Sequence, residues 1–308
     1  MFAGTPEVAV PSLQALLASK HEVAAVLTRA DAPAGRGKKL TPSPVRVAAE
    51  AVGIPVITGK PSDPATQAEI AALGCEAAAV VAYGHLLRQE VLDLMPRGWF
   101  NLHFSLLPRW RGAAPVQWAL ISGDTEVGVS IFQLDEGMDT GPIFAAQAVP
   151  LMPDDTAETL LPRLAEVGST LLLQVFDELE AGTAVGVPQT ETGTLAPKLT
   201  TEKARVNWQE SNLEITNLIK GVTPAPGAWT TLVTPGSEPV RLGIGPVQPA
   251  PIQPHLGPGQ LHIEKKQVLV GSAFGPVQLS TVQPPGKKPI PATDWARGAR
   301  LTEESRFQ

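Results

Sequence analysis

Trp99-Phe100-Asn101-Leu102-His103-Phe104-Ser105-Leu106-Leu107-Pro108-Arg109-Trp110-Arg111-Gly112-Ala113-Ala114-Pro115 opens as an apolar strand and closes as the first turn of a helix. Successive side chains of a strand alternate faces, so Asn101 and His103 point one way while Leu102 and Phe104 point the other. Pro108 and Gly112 hold a turn, and Ala113 to Ile121 reads as a helix with Pro115 in its first turn. Two hydrogen-bonding side chains share one face where a strand ends, a loop runs and a helix starts. Open α/β sheets place their chemistry at such points.

Upstream of this stretch, strands alternate with helices. Phe2-Ala3-Gly4 is a short strand tail, and Pro11 to Ser19 carries apolar residues at helical spacing. Glu22 to Thr28 reads as a strand, Arg29 to Pro44 as a Gly/Pro/Lys-rich loop, and Val45 to Val52 as a helix. Ile54 to Ile57 is extended, and Asp63 and Pro64 cap and open a helix to Leu73. Ala77 to Ala82 is apolar on both faces, the pattern of a central parallel strand. Arg88 to Leu94 reads as a short helix. The alternation predicts a doubly wound, mostly parallel α/β sheet.

Downstream the rhythm changes. Val127 to Leu134 and Ile143 to Val149 read as strands joined by the loop Asp135 to Pro142, and Thr156 to Ala181 as a long amphipathic helix ending at Gly182. A polar, proline-bearing stretch follows, then a helix over Asn212 to Gly221. Beyond it Pro and Gly recur and strands are short: Trp229–Val233, Val240–Ile244, Gln260–Ile263, Gln267–Val270 and Val277–Thr281. That pattern predicts a small β-barrel, with the Pro-rich Val247 to Pro258 as a surface loop. The expected organisation is a catalytic domain over 1–187, a linker over 188–204 and a barrel over 205–308.

At 308 residues the chain is long enough for two ordinary cores. No apolar run reaches the ~18 residues of a membrane span, and no basic segment followed by an apolar one marks an export signal. Cys75 is the only cysteine, which excludes an internal disulfide and a thiolate-rich metal site and fits a reducing cytoplasm. Net charge is −6, against a general nucleic-acid binder. The balance is uneven, however: residues 204–308 hold ten basic and seven acidic side chains. Within the acidic remainder, Arg29, Arg36, Lys38, Lys39 and Arg46 form a basic island with Asp31 alone against them. A polyanion could use the island and the C-terminal part; a solvated loop would look the same.

His21, His85, His103, His255 and His262 never stand at helical spacing from a second ligand, so no metal site is expected. Neither a dinucleotide nor a phosphate-loop pattern is present, and no serine sits in a nucleophile elbow. Asn101, His103 and the loop carboxylate Asp139 remain, the last between Gly137 and Gly141, which leave it flexible enough to approach a ligand closely. An amide, an imidazole and a carboxylate suit acyl transfer to an amine without a covalent enzyme intermediate: the amide meets the oxyanion, and the other two move protons. Each also has a structural alternative, as a hydrogen-bonded strand pair and as a turn former.

Phe-Ala-Gly-Thr-Pro at 2–6, Pro-Ala-Gly-Arg-Gly-Lys-Lys-Leu at 33–40, Val-Val-Ala-Tyr-Gly at 80–84, Asn-Leu-His at 101–103, Ser-Leu-Leu-Pro-Arg-Trp-Arg-Gly-Ala-Ala-Pro at 105–115 and Asp-Thr-Gly at 139–141 carry a resemblance. So do Leu-Ala-Pro-Lys-Leu at 195–199 and Gly-Lys-Lys-Pro at 286–289. Together they resemble the methionyl-tRNA formyltransferases, within the 10-formyltetrahydrofolate-dependent transferases, over nearly the whole chain. The resemblance implies a Rossmann-like formyltransferase domain and an OB-like barrel, with catalysis by Asn101, His103 and Asp139 and folate contact by Ser105, Leu106, Leu107 and Pro108. Val80 to Leu87 would border the pterin. Arg36, Lys38 and Lys39 would meet the tRNA acceptor end, and Lys287 and Lys288 its backbone.

The implied reaction moves a formyl group from 10-formyltetrahydrofolate to the α-amine of initiator methionyl-tRNA, in a cytoplasmic monomer without metal or membrane. Two departures stand out. Phe104 occupies a position where the family more often has a small residue or proline, which alters the edge of the folate pocket. Relatives also carry residues ahead of Phe-Ala-Gly-Thr-Pro that complete the first strand, so either the start lies too late or the fold is less stable than theirs. One rival reading is formyl transfer to a small amine, such as glycinamide ribonucleotide or an amino sugar. Another is a non-catalytic RNA-binding protein that kept the fold.

Overall fold

The computed structural model describes residues 1–34, 39–251 and 255–308. In chain order the first part runs β1 (Phe2–Gly4), α1 (Val10–Leu17), β2 (Val26–Leu27), β3 (Ala32–Ala34), β4 (Lys39–Thr41), α2 (Pro44–Ala51), β5 (Val56–Ile57), α3 (Pro64–Ala72) and β6 (Ala77–Val81). It continues with α4 (Gln89–Leu92), β7 (Gly98–His103), α5 (Pro115–Ile121), β8 (Glu126–Gln133), β9 (Ile143–Pro150) and α6 (Ala157–Ala181). The second part holds α7 (Asn212–Val222), β10 (Trp229–Val233), β11 (Val240–Ile244), β12 (Val247–Pro249), β13 (Leu261–Ile263), β14 (Val268–Val270), β15 (Val277–Leu279), β16 (Thr281–Gln283), β17 (Ile290–Pro291), α8 (Ala292–Gly298) and β18 (Arg306–Phe307).

Two compact units emerge. One comprises 1–115, 126–151 and 161–196; the other comprises 116–125, 152–160 and 197–308. The first is built on a seven-stranded sheet of order β5-β2-β1-β6-β7-β8-β9, parallel from β5 to β7 and antiparallel across β7-β8 and β8-β9. Ala77–Val81 is central, as its apolar faces require, and β1 lies beside it with all three residues buried.

The alternation of β7 decides the rest. Trp99 turns into a core with Ala3, Leu27, Ile57, Ile70 and Val80, and its indole N–H donates to Val91 O at 3.1 Å. Phe100 and Leu102 face the other side. There Phe100 stacks edge-on with Phe144 and Phe176, and a Cβ on Gly168 of α6 would stand 2.6 Å from a Leu102 methyl. The helix therefore needs glycine at 168 to seat on the strand.

The second unit has two antiparallel sheets, β17-β16-β11-β10-β18 and β12-β15-β14-β13, whose inner residues share a core with α7 and Trp295. Ser211 and Glu214 close a capping box on α7, and Trp208 Nε1 donates to Thr230 Oγ1 at 2.8 Å inside that core.

Three expectations change. Part of the Arg29–Pro44 loop is the antiparallel strand pair β3-β4, and Arg36 and Lys38 lie outside the described residues. The Pro-rich loop begins with β12, which pairs with β15 because Pro249 closes the strand where its missing N–H is not required. Val277 to Thr281 divides into the end of one sheet and the start of the other.

Candidate active site

Asn101 and His103 sit on the Trp99 face of β7, toward its C-terminal end, paired across β8 with Phe132 and Ser130. Asn101 is half-buried, and no hydrogen bond to a described residue takes up its amide. His103 is buried. Its Nε2 lies 2.8 Å from Trp110 O, and because a carbonyl only accepts, that nitrogen carries the proton. Burial pushes the imidazole below its ordinary value of 6.5, while the Asp139 charge and the Trp110 carbonyl pull it back up. Neutral His103 thus presents a bare Nδ1, and that atom stands 3.6 Å from Asp139 Oδ2.

Asp139 reaches this point from the loop after β8. Its Oδ2 accepts the Gly112 amide at 2.7 Å. The loop is drawn tight by Asp135, whose carboxylate accepts the Gly137 amide at 3.0 Å and the Thr140 hydroxyl at 2.8 Å. A Cβ on Gly141 would lie 1.8 Å from Gln133 O. The glycines therefore serve close internal packing rather than the flexibility expected of them. Asp139 and Trp110 have φ of 54° and 61°, and Ala82, just past β6, has 47°. Three non-glycine residues in the left-handed region around one strand end mark backbone held in place by its surroundings.

The turn after β7 is fixed from within. Ser130 Oγ donates to Ser105 O at 2.8 Å and accepts the Leu107 amide at 3.1 Å; Ser105 Oγ donates to Arg109 O at 2.6 Å. Leu107 is buried, Leu106 packs over Gly128, and Pro108 is half-buried. Phe104 is buried opposite His103. Residues 189–196 brace the turn: Trp110 N donates to Thr194 Oγ1 at 2.9 Å, Arg111 N to Thr194 O at 2.8 Å and Ala196 N to Arg111 O at 2.7 Å.

The structure brings Asn101, His103 and Asp139 together beside the Ser105–Pro108 turn. Lys39 is exposed on β4, and Lys287 and Lys288 are exposed in the turn between β16 and β17. Of the rest of the basic island, Arg46 pairs with Asp31 at 2.9 Å and Glu50 at 2.7 Å, and Arg29 donates to Gly84 O. Elsewhere His21, Asp177 and Glu180 approach one another, with Lys20 Nζ on both carboxylates at 3.3 and 2.6 Å. Among the described residues no helix is long and apolar enough to cross a membrane.

The family model described as formyl transferase matches residues 1–176, and the one described as formyl transferase, C-terminal domain, matches 198–300. Curated methionyl-tRNA formyltransferases of Thermobifida fusca and Streptomyces coelicolor are each 50% identical to the chain, over 100% and 99% of it and 98% of each relative. The chain belongs to the methionyl-tRNA formyltransferase family. Among solved structures, the sugar 3-N-formyltransferase WlaRD, in the presence of dTDP and 5-N-formyl-THF, superposes with a TM-score of 0.67 at 19% identity, covering 93% of this chain and 97% of that one. That likeness is one of fold.

This formyltransferase also uses residues that its sequence does not single out. Ser130 reads as an ordinary polar residue on a strand. Gln189 and Thr194 lie in the stretch that reads as a linker, and their bonds to the site cross about 80 residues of sequence. No spacing signal marks such long-range pairs.

Proposed function

We propose that this formyltransferase moves the formyl group of 10-formyltetrahydrofolate to the α-amine of initiator methionyl-tRNA by direct attack, with Asn101, His103 and Asp139 as its catalytic residues. The observation that carries the reading is the 3.6 Å gap between His103 Nδ1 and Asp139 Oδ2, beside an Asn101 amide with no hydrogen-bond partner among the described residues. The gap is too long for a hydrogen bond and short enough to tighten around a proton.

The amine attacks the formyl carbon, and charge grows on the formyl oxygen, where the Asn101 N–H donates. The amine gives up one proton to the Nδ1–Oδ2 pair, converting neutral His103 to an imidazolium held by Asp139. The pair returns that proton to N10 as the carbon–N10 bond breaks. One proton leaves the attacking nitrogen and one arrives on the leaving nitrogen, so tetrahydrofolate and formylmethionyl-tRNA form with no net proton change.

The Ser105–Pro108 turn borders the folate, with Ser105 spending its hydroxyl on the turn itself, and Val80 to Leu87 border the pterin. Residues 1–187 carry the chemistry, 205–308 contribute a tRNA surface through Lys287 and Lys288, and 188–204 join them. Arg36, Lys38 and Lys39 meet the acceptor end. Because all three catalytic groups come from one chain, a monomer suffices, acting in the cytoplasm where charged initiator tRNA and reduced folate meet. The test is formyl transfer from 10-formyltetrahydrofolate to methionyl-tRNA, glycinamide ribonucleotide or an amino sugar offered in parallel. Transfer to methionyl-tRNA is expected, and transfer to a small amine alone would refute the reading.

A further inference from the structure

We propose that Gln189 is a positioning residue for formyl transfer: its side-chain amide ties the Asp139 loop to the Arg111 turn and so keeps the Asp139 carboxylate facing His103. This rests on the function proposed above. Gln189 Nε2 donates to Asp139 O at 3.0 Å and to Gly141 O at 2.7 Å, while Oε1 accepts Arg111 Nε at 3.1 Å and Nη2 at 2.7 Å. All four hydrogen-bonding positions of the amide are used. Two carbonyls on one side and a guanidinium on the other also fix which end is nitrogen and which is oxygen.

The bracket grips Asp139 from two directions. One residue past Arg111, the Gly112 amide donates to Asp139 Oδ2; Gln189 itself holds the Asp139 carbonyl. Asp139 is left-handed at φ 54°, a conformation that persists only when its neighbours impose it. The bracket has a firm base. Two residues before Gln189, Val187 exchanges both backbone bonds with Ile143 at 2.8 Å, and Arg111 is clamped by Thr194 and Ala196. The Gln189 amide joins the carboxylate's own backbone to the turn that donates to the carboxylate.

Two variants of the full chain separate positioning from stapling. Gln189→Met keeps the length and removes every bond; Gln189→Glu keeps an acceptor for Arg111 and puts oxygen against the Asp139 and Gly141 carbonyls. Both are expected to lower kcat for methionyl-tRNA formylation by about 10- to 100-fold, the cost of a displaced reacting group. KM for either substrate is expected to stay within about twofold, since ground-state binding is not touched. If Gln189 only braces Arg111, Gln189→Glu retains the unaltered kcat, and the proposal falls.

The second readout needs no substrate. In protein labelled with ¹⁵N in its imidazoles, the His103 Nδ1 resonance is expected to move in Gln189→Met in the direction it moves in Asp139→Asn, while those of His21 and His262 stay in place. An unmoved His103 resonance overturns the proposal. Should the unaltered protein formylate no acceptor, the functional reading fails by itself, and the imidazole spectra still decide what Gln189 does. Should Gln189→Met fail to fold, kcat of Gln189→Glu decides.

Discussion

The Gly112 amide and the His103 imidazole converge on one oxygen, Oδ2 of Asp139, the first at 2.7 Å and the second at 3.6 Å through Nδ1. The amide bond is made in the resting protein and aims the carboxylate. The longer approach is left open, and it is the one with room to shorten around a proton.

That arrangement sets a pH dependence. In the proposed mechanism His103 receives a proton and must first be neutral; burial lowers it from 6.5 while Asp139 raises it. The kcat profile is therefore expected to fall on the acid side with a midpoint below 6.5. In Asp139→Asn the raising charge is gone, so the residual activity is expected to have its acid limb at still lower pH. Stability follows the same sign: neutral His103 favours the fold above its unfolded value, and that contribution is lost as pH falls. A limb that moves upward in Asp139→Asn would contradict the assignment, and kcat measured from about pH 5 to 8 reads it.

Asn101→Ala is expected to lower turnover by about 10²- to 10³-fold, the usual cost of removing one oxyanion donor. Folate affinity, followed by tryptophan fluorescence, is expected to persist. A loss under about tenfold would make Asn101 a structural residue.

Gly141→Ala places a methyl 1.8 Å from Gln133 O, a backbone atom on the strand that carries the loop. The loop has to move, at about 1–3 kcal/mol in thermal or denaturant unfolding, and it takes Asp139 with it. Turnover is expected to fall with stability. Unchanged unfolding and activity would show that the loop has more freedom than its Asp135–Thr140 bonds imply.

Replacing Lys287 and Lys288 together by Ala is expected to weaken tRNA binding and to flatten the slope of log affinity against log salt by about two units. Folate binding is expected to be unaffected. Equal slopes in the two proteins would leave those lysines as solvated turn residues.

How much of this could be read beforehand follows from the range of each interaction. The shared face of Asn101 and His103 comes from strand alternation alone, and the central position of Ala77–Val81 from apolar residues on both faces. Asp139 is 36 residues beyond His103, and only the family resemblance links them; no periodicity does. The β3-β4 strand pair is hidden by a composition that reads as loop, and β12 by its proline. Gln189 lies in a polar stretch, and its bonds to Arg111, Asp139 and Gly141 leave no mark in the local sequence. The Gly141 contact is likewise invisible until strand and loop are folded together.

The central claim is that His103 and Asp139 handle one proton as a unit. Its most direct test is the single-turnover rate of formyl transfer to methionyl-tRNA, with both substrates saturating, in His103→Asn, Asp139→Asn and the double variant. Each single change is expected to slow the step by about 10²-fold or more. The double variant is expected to be no slower than the slower single, within about threefold, because a broken unit has little left to lose. A double variant slowed by the product of the two single effects, or either single variant at the unaltered rate, would contradict it.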